Sequence, residues 1–154
     1  MKNVLIFGLG DDRHALELRW VREIFTLVAL TPVPTAPPIL DGVVNFKGAI
    51  VPVLSLAVAL GGGRRGLQPG AALVLIDVEG TRVALGVDRI DAVTALTPRG
   101  EELARQRPPE GGAASGGTPQ DLVDGDGNIV PLVEPAALVA AARQQIEGDH
   151  GARA

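Results

Sequence analysis

The sequence predicts a mostly β protein, built from two similar small β units and followed by a C-terminal helix. The first observation is an internal repeat, in which two apolar strand patterns each occur twice and in the same order. The second is that the apolar runs are short and are separated by residues that favour turns, as in small sheets. The third is that good helix formers dominate only after Pro135.

The repeat predicts how the chain is divided. Val4-Leu5-Ile6 returns as Val74-Leu75-Ile76, and the segment 50–54 (IVPVL) returns as 129–133 (IVPLV). We therefore predict one domain over 1–150, with a first β subdomain over about 3–60, a second over about 71–134 and a helix over about 135–147. Each copy has a proline in its last strand, which predicts an edge or a bulge and a sheet that bends into a barrel.

The first unit begins with a predicted hairpin. Val4–Phe7 is a short apolar strand, Gly10–Asp12 is a turn, and His14–Leu18 alternates polar and apolar residues as a half-buried strand does. The next run, Trp20–Phe25, fits either a helical turn or a strand. Thr31–Pro38 contains four prolines and is predicted to be an extended connector.

The chain is organised around the stretch Gly42–Leu60, which we interpret as a β-hairpin. Asn45 and Gly48 are expected to adopt the positive φ angles of its turn. The second arm, from Ile50, is apolar throughout and should be buried on both faces. Lys47 would then be a single cation at an exposed turn.

Composition excludes several classes of function. The 154 residues carry a net charge of −4, no cysteine and few aromatic residues, which argues against nucleic-acid binding, disulfides and thiolate metal sites. No run of 18 apolar residues suggests a membrane span, and the short apolar patch after Lys2 does not resemble a secretory signal. We expect a soluble, cytoplasmic protein.

Motifs that could carry chemistry are weak. Asp124–Asn128 has the spacing that opens a calcium loop, but Ile129 and Pro135 occupy the positions that require Gly and Glu, so a hairpin turn is the better interpretation. The glycine-rich segments 61–66 and 110–117 are predicted to be flexible linkers. His14 and His150 have no companion ligands at metal spacing. We expect no catalytic residue, no metal and no cofactor.

An ordered set of motifs resembles a known family. The motifs are Ile6–Gly10, Val21–Ile24, Thr31–Pro34, Gly42–Gly48 and Pro52–Leu56, followed by Val87–Val93 and Ile129–Leu138. Together they are similar to the CheW-type chemotaxis coupling (adaptor) proteins, over residues 3 to about 140.

The resemblance implies two five-stranded, SH3-like β-barrels around a shared core. It implies a non-catalytic adaptor in the cytoplasm, recruited to membrane-associated arrays, which joins the tips of methyl-accepting chemoreceptors to the regulatory domain of the histidine kinase CheA. The receptor would lie in the groove between the barrels. Receptor contacts are implied at Val21, Glu23, Lys47, Gly48, Leu73 and Val93, and a kinase-facing position at Gly42.

Two departures from the family pattern leave alternatives open. Lys47 stands where the family usually has Arg, so a planar, bidentate group is replaced by a point charge, and Ser55 stands where Asp is usual. A divergent module of an accessory array, which binds only one of the two partners, is one alternative. A small-molecule-binding barrel is another, and for Val21 and Val93 simple core packing competes with partner contact.

Overall fold

The computed structural model describes residues 1–27, 29–63, 66–68, 70–101 and 121–151. Within these ranges, ten strands form two five-stranded sheets. The strands are β1 Lys2–Leu9, β2 Asp12–Glu17, β3 Val21–Thr26, β4 Leu40–Phe46, β5 Ala49–Ser55, β6 Ala72–Val78, β7 Thr81–Val87, β8 Arg89–Pro98, β9 Leu122–Val123 and β10 Ile129–Val130. The helices that lie wholly within the described residues are a 3₁₀ turn at Leu18–Trp20, α1 at Leu56–Ala59 and α2 at Pro135–Gly151.

The first compact unit contains residues 1–19 and 90–133, and its sheet has the order β10-β9-β8-β1-β2. The segment that follows β10 also pairs with β2, the strand at the other end of the sheet order. The N–H of Ala15 donates to the carbonyl of Pro131 at 2.8 Å, and the N–H of Val133 donates to the carbonyl of Ala15 at 2.8 Å. This contact makes the sheet barrel-like. Its core includes a cluster of Val4, Ile6, Ala15, Leu96, Leu122 and Val130.

The second unit contains residues 20–89 and 134–154, with the sheet order β3-β6-β7-β5-β4. All neighbours in this sheet are antiparallel except β5 and β7, which run parallel from Val53 opposite Ala84. Its core includes a cluster of Leu27, Val44, Val51, Val53, Ala71, Leu73, Leu75 and Ala84. Arg143 of α2 donates to Oγ1 of Thr81 at 2.6 Å, which joins the helix to the start of β7.

The two sheets confirm the predicted fold class, but they do not follow the consecutive halves 3–60 and 71–134. The hairpin β1–β2 of the first copy pairs with β8–β10 of the second, and the hairpin β6–β7 of the second copy pairs with β3–β5 of the first. The repeat gives both hairpins the same apolar pattern, so either hairpin satisfies either set of partner strands. The pattern alone therefore does not reveal this exchange.

Pro52 in β5 does not mark a sheet edge, the first of the two predicted alternatives, but a register shift of the bulge type lies close by, between Leu40 and Gly42 opposite Leu54 and Val53. β5 lies between β7 and β4, and Pro52 is opposite Val43. Val43 directs its backbone groups away from β5, towards Thr31, so the missing N–H of Pro52 removes no bond to β4. Pairing with β7 begins only one residue later, at Val53.

The ambiguous run at 20–25 resolves into both predicted alternatives in succession, a 3₁₀ turn ending at Trp20 and then β3. The C-terminal helix begins at Pro135 as predicted but continues past residue 147 to Gly151. Asp124–Asn128 forms the predicted turn between β9 and β10. Residues 64 and 65 of the first linker and all of 110–117 lie outside the described residues. None of the helices described has both the length and the apolar composition needed to cross a bilayer.

Candidate functional site

The turn between β4 and β5 is a tight two-residue reversal. Phe46 pairs with Ala49, and the two residues between them, Lys47 and Gly48, have φ angles of 50° and 88°. Two positive φ angles are what a hairpin turn of this length requires. The sequence prediction placed one of them at Asn45, which is wrong, because Asn45 remains in the strand. Its Oδ1 instead accepts the N–H of Gly48 at 3.0 Å.

Lys47 is a positioned cation. Its Nζ lies 3.4 Å from Oε2 of Glu23 on β3 and 5.2 Å from the centre of the Phe46 ring. The side chains of Lys47 and Glu23 are 72% and 40% exposed. An ion pair this open to water contributes about 0–1 kcal/mol. Its effect is therefore to orient two opposite charges at the surface.

An aromatic pair supports this charge pair. Phe25 on β3 and Phe46 on β4 stack with ring centres 4.8 Å apart. β3 and β4 are the two ends of the sheet order, and the stack brings these ends together. Sequence reasoning missed this contact, although the two residues are two of only three phenylalanines in the chain.

The other residues implied in receptor contact are in different settings. Val21, two residues before Glu23 on β3, is half-buried, and a register shift separates the two. Gly48 is exposed, and nothing lies within 4 Å of where a Cβ would be. Val93 is 60% exposed on β8. Leu73 is 0% exposed in the core of the second unit, so a direct surface contact is not available to it.

Gly42, implied as a kinase-facing residue, is buried in β4 at a register shift. A Cβ at this position would lie 2.5 Å from the carbonyl oxygen of Thr31. Thr31 and Val43 exchange two backbone hydrogen bonds here, at 2.9 and 2.8 Å. The glycine is therefore needed so that the connector can approach β4.

A cavity of about 320 Å³ lies beside the Lys47 turn, where β3 and the following connector pass β4. Its lining consists of Phe25, Thr26, Leu27, Ala29, Thr31, Val44, Asn45 and Leu73. Leu27, Val44 and Leu73 belong to the core of this unit, so the floor of the cavity is apolar.

Residues 3–143 match the model of the CheW-like domain. The chain belongs to the CheW-like family. This CheW-like domain is 29% identical over 107 residues to the probable chemotaxis protein CheW of Rhizobium etli, covering 70% of this chain and 67% of that protein. It is 30% identical over 148 residues to the protein FrzA of Myxococcus xanthus, covering 90% of this chain and 86% of that protein.

One solved structure similar to the CheW-like domain is the crystal structure of the scaffolding protein TtCheW from Thermoanaerobacter tengcongensis. The TM-score is 0.55 and the identity is 28%, over 60% of this chain and 64% of that one. The chain spans less than two thirds of the length of some relatives. Its match to the CheW protein of Treponema pallidum, for example, covers 58% of that protein.

Proposed function

We propose that this CheW-like domain is a non-catalytic adaptor of bacterial chemotaxis-type signalling. It couples the cytoplasmic tips of methyl-accepting chemoreceptors to the regulatory domain of the histidine kinase CheA. It acts in the cytoplasm and is recruited to membrane-associated arrays through these two partners.

The observation that carries the proposal is the charge pair Lys47–Glu23 on the exposed edge of the second unit. Gly48 extends this edge, and half-buried Val21 adds apolar surface next to Glu23. A helix with one apolar and one charged face has partners for both kinds of group here. The apolar contact contributes affinity, while the exposed charges mainly set register and association rate.

The other implied residues, Val93, Leu73 and Gly42, have three different roles. Val93 stays a receptor-contact residue, because its side chain is exposed. Leu73 is removed from the contact set and acts through core packing. Gly42 acts indirectly near the kinase-facing surface, since the absence of a side chain lets the Thr31 segment approach β4.

Co-sedimentation tests the proposal with membranes that carry a cognate chemoreceptor, with and without CheA. We expect the chain to sediment with receptor membranes and to increase the amount of CheA that sediments. Lys47→Glu should weaken receptor association, because it places two acidic groups side by side, while stability stays within about 0.5 kcal/mol of wild type.

The β6–β7 turn offers a matched control. Glu79 there has a φ of 51°, is followed by Gly80 and is exposed, as Lys47 is in its own turn. Glu79→Lys reverses a charge in the same backbone setting and should leave receptor association unchanged. A Lys47→Glu protein that melts far lower yet binds normally would reverse the assignment, and an absence of sedimentation with either partner would overturn the adaptor function.

A second candidate is a divergent module that binds only one of these partners. The replacement of the usual Arg by Lys47 favours it, because an ammonium group does not form the bidentate contacts of a guanidinium. Separate pull-downs with receptor membranes and with CheA distinguish it from the coupling function.

A further inference from the structure

The backbone pairing along β4 stops where the cavity begins. Thr31 and Val43 exchange two hydrogen bonds at the outer edge of β4. Backbone groups point the same way at every second residue of an antiparallel strand, so the N–H and C=O of Asn45 face this same edge. In the register of Thr31 with Val43, the residue opposite Asn45 is Ala29.

Ala29 and Asn45 do not complete the ladder. No backbone hydrogen bond joins them within the described part of the chain. The connector has turned away by Leu27, whose N–H donates to Ala71 at 2.8 Å and whose carbonyl accepts from Gly70 at 3.3 Å. Ala29 and Asn45 instead both line the 320 Å³ cavity.

The Asn45 side chain does not take the place of the missing strand, because its Oδ1 is bonded to the N–H of Gly48. Among the described residues, the N–H and C=O of Asn45 therefore have no backbone partner at this edge, beside an apolar cavity. Backbone groups in this spacing match those of an extended peptide, whereas a helix uses its own backbone groups internally.

We propose that the edge of β4 at Asn45 and the adjoining cavity bind an extended peptide segment of a partner protein. The segment adds as a short strand, its backbone exchanges two hydrogen bonds with Asn45, and one apolar side chain enters the cavity above Leu27, Val44 and Leu73. Strand addition of this kind takes affinity from the backbone and specificity from the side chain that is buried. This site takes a different class of ligand from the helical receptor segment that the Lys47–Glu23 pair would contact.

The test begins with a random peptide library, displayed on phage and selected against the whole chain. Binders are synthesised with blocked ends, and each residue in turn is N-methylated, which removes one N–H without changing the protein. The expected result is that one N-methylation weakens binding about threefold to tenfold, the equivalent of a single net backbone hydrogen bond. Methylation at the neighbouring residues, which point the other way, should have less effect.

Two substitutions at one position locate the site. Asn45→Pro removes the N–H at a point where the strand pairing of β4 does not use it, and an edge strand accepts proline there. Asn45→Ala loses the side-chain bond to Gly48 but keeps the N–H. Peptides should bind wild type and Asn45→Ala alike and should bind Asn45→Pro at least about threefold more weakly.

Ala29→Trp is a second variant that does not depend on how the strand tolerates proline. It fills the cavity from the exposed rim and should abolish binding. Selected peptides that bind wild type, Asn45→Pro and Ala29→Trp equally would overturn the proposal. So would a selection that yields no binders, or binders that are helical when bound.

Discussion

Arg13 donates from Nη2 to Oδ2 of Asp124 at 2.7 Å, although the two residues are 111 positions apart. Oδ1 of Asp124 accepts the N–H groups of Asp126 and Asn128 at 2.9 and 2.8 Å. The loop that resembles the start of a calcium site is thus organised around a carboxylate that already holds a guanidinium and two amides. This carboxylate joins the β9–β10 turn to the β1–β2 hairpin.

Acid should weaken the first unit through Asp124. The hydrogen bond from Arg13, and then the one from the Asn128 amide, lower the pKa of Asp124 from 3.8 to about 2. Because the folded pKa is the lower one, the contribution to stability is complete above 3.8 and is lost as the pH falls towards 2. When Arg13→Ala is denatured at pH values between 5 and 2, its free energy of unfolding should fall less with acid than that of wild type. Asp124→Asn is the control that lacks the titrating group. If wild type and Asp124→Asn lost the same amount of stability in acid, Asp124 would not be the group responsible.

His14 should add a second pH dependence at milder acidity. Burial lowers the pKa of His14 from 6.5, and Asp12 opposes this only partly. Its Nδ1 is buried without a hydrogen-bond partner in the described part of the chain, and its ring stacks on Phe7 at 5.9 Å. Because the unfolded chain takes up this proton more readily than the folded protein, the stability of the fold decreases as the pH falls below 6.5. Urea denaturation at pH 7.5 and pH 5.5 should show that the free energy of unfolding changes more for wild type than for His14→Phe. Equal changes in the two proteins would contradict a role for His14.

Gly42→Ala should destabilise the second unit by about 1–3 kcal/mol, because its Cβ would collide with the Thr31 carbonyl. Gly125→Ala is the matched control, since nothing lies within 4 Å of a Cβ at that glycine. Chemical denaturation measures both. Equal stability of the two variants would mean that the connector moves away from β4 at little cost.

Val53 and Ile50 lie on the same strand, β5, but differ in burial, so the same substitution at each tests the effect of burial alone. Val53 is 0% exposed, and Ile50 on the same strand is 66% exposed. Val53→Asp should unfold the protein because it buries an unpaired carboxylate, while Ile50→Asp should change stability by about 0.5 kcal/mol or less. Circular dichroism and solubility report both outcomes. A soluble, folded Val53→Asp protein would contradict the position of β5 in the core.

Much of the fold could be predicted from local patterns. The hairpin at Val4–Leu18, the central hairpin, the β9–β10 turn and the start of α2 at Pro135 all depend on contacts between neighbours in sequence. Alternation, turn residues and a proline at a helix start are visible in such segments. Asn45 shows where this reasoning fails, because both Asn and Lys adopt positive φ at a cost, and only the pairing of Phe46 with Ala49 decides which of them does.

The candidate site was only partly visible in the sequence. The resemblance named Glu23 and Lys47, and the structure places them 3.4 Å apart. It also named Leu73, which the structure buries in the core. Similarity of motifs does not report the direction of a side chain, so the resemblance does not distinguish a buried residue from an exposed one. The stack of Phe25 on Phe46 and the gap opposite Asn45 had no local signal, since each depends on strands that are distant in sequence.

The sequence by itself determined the β-rich class, the repeated hairpins, the C-terminal helix and membership of the CheW-like family, because these follow from residue patterns within a few positions. Only the tertiary structure decided which hairpin joins which sheet and which side chains meet across β3 and β4. Two hairpins with the same apolar pattern satisfy the same partners, so the choice between them depends on long-range pairing that no single segment encodes.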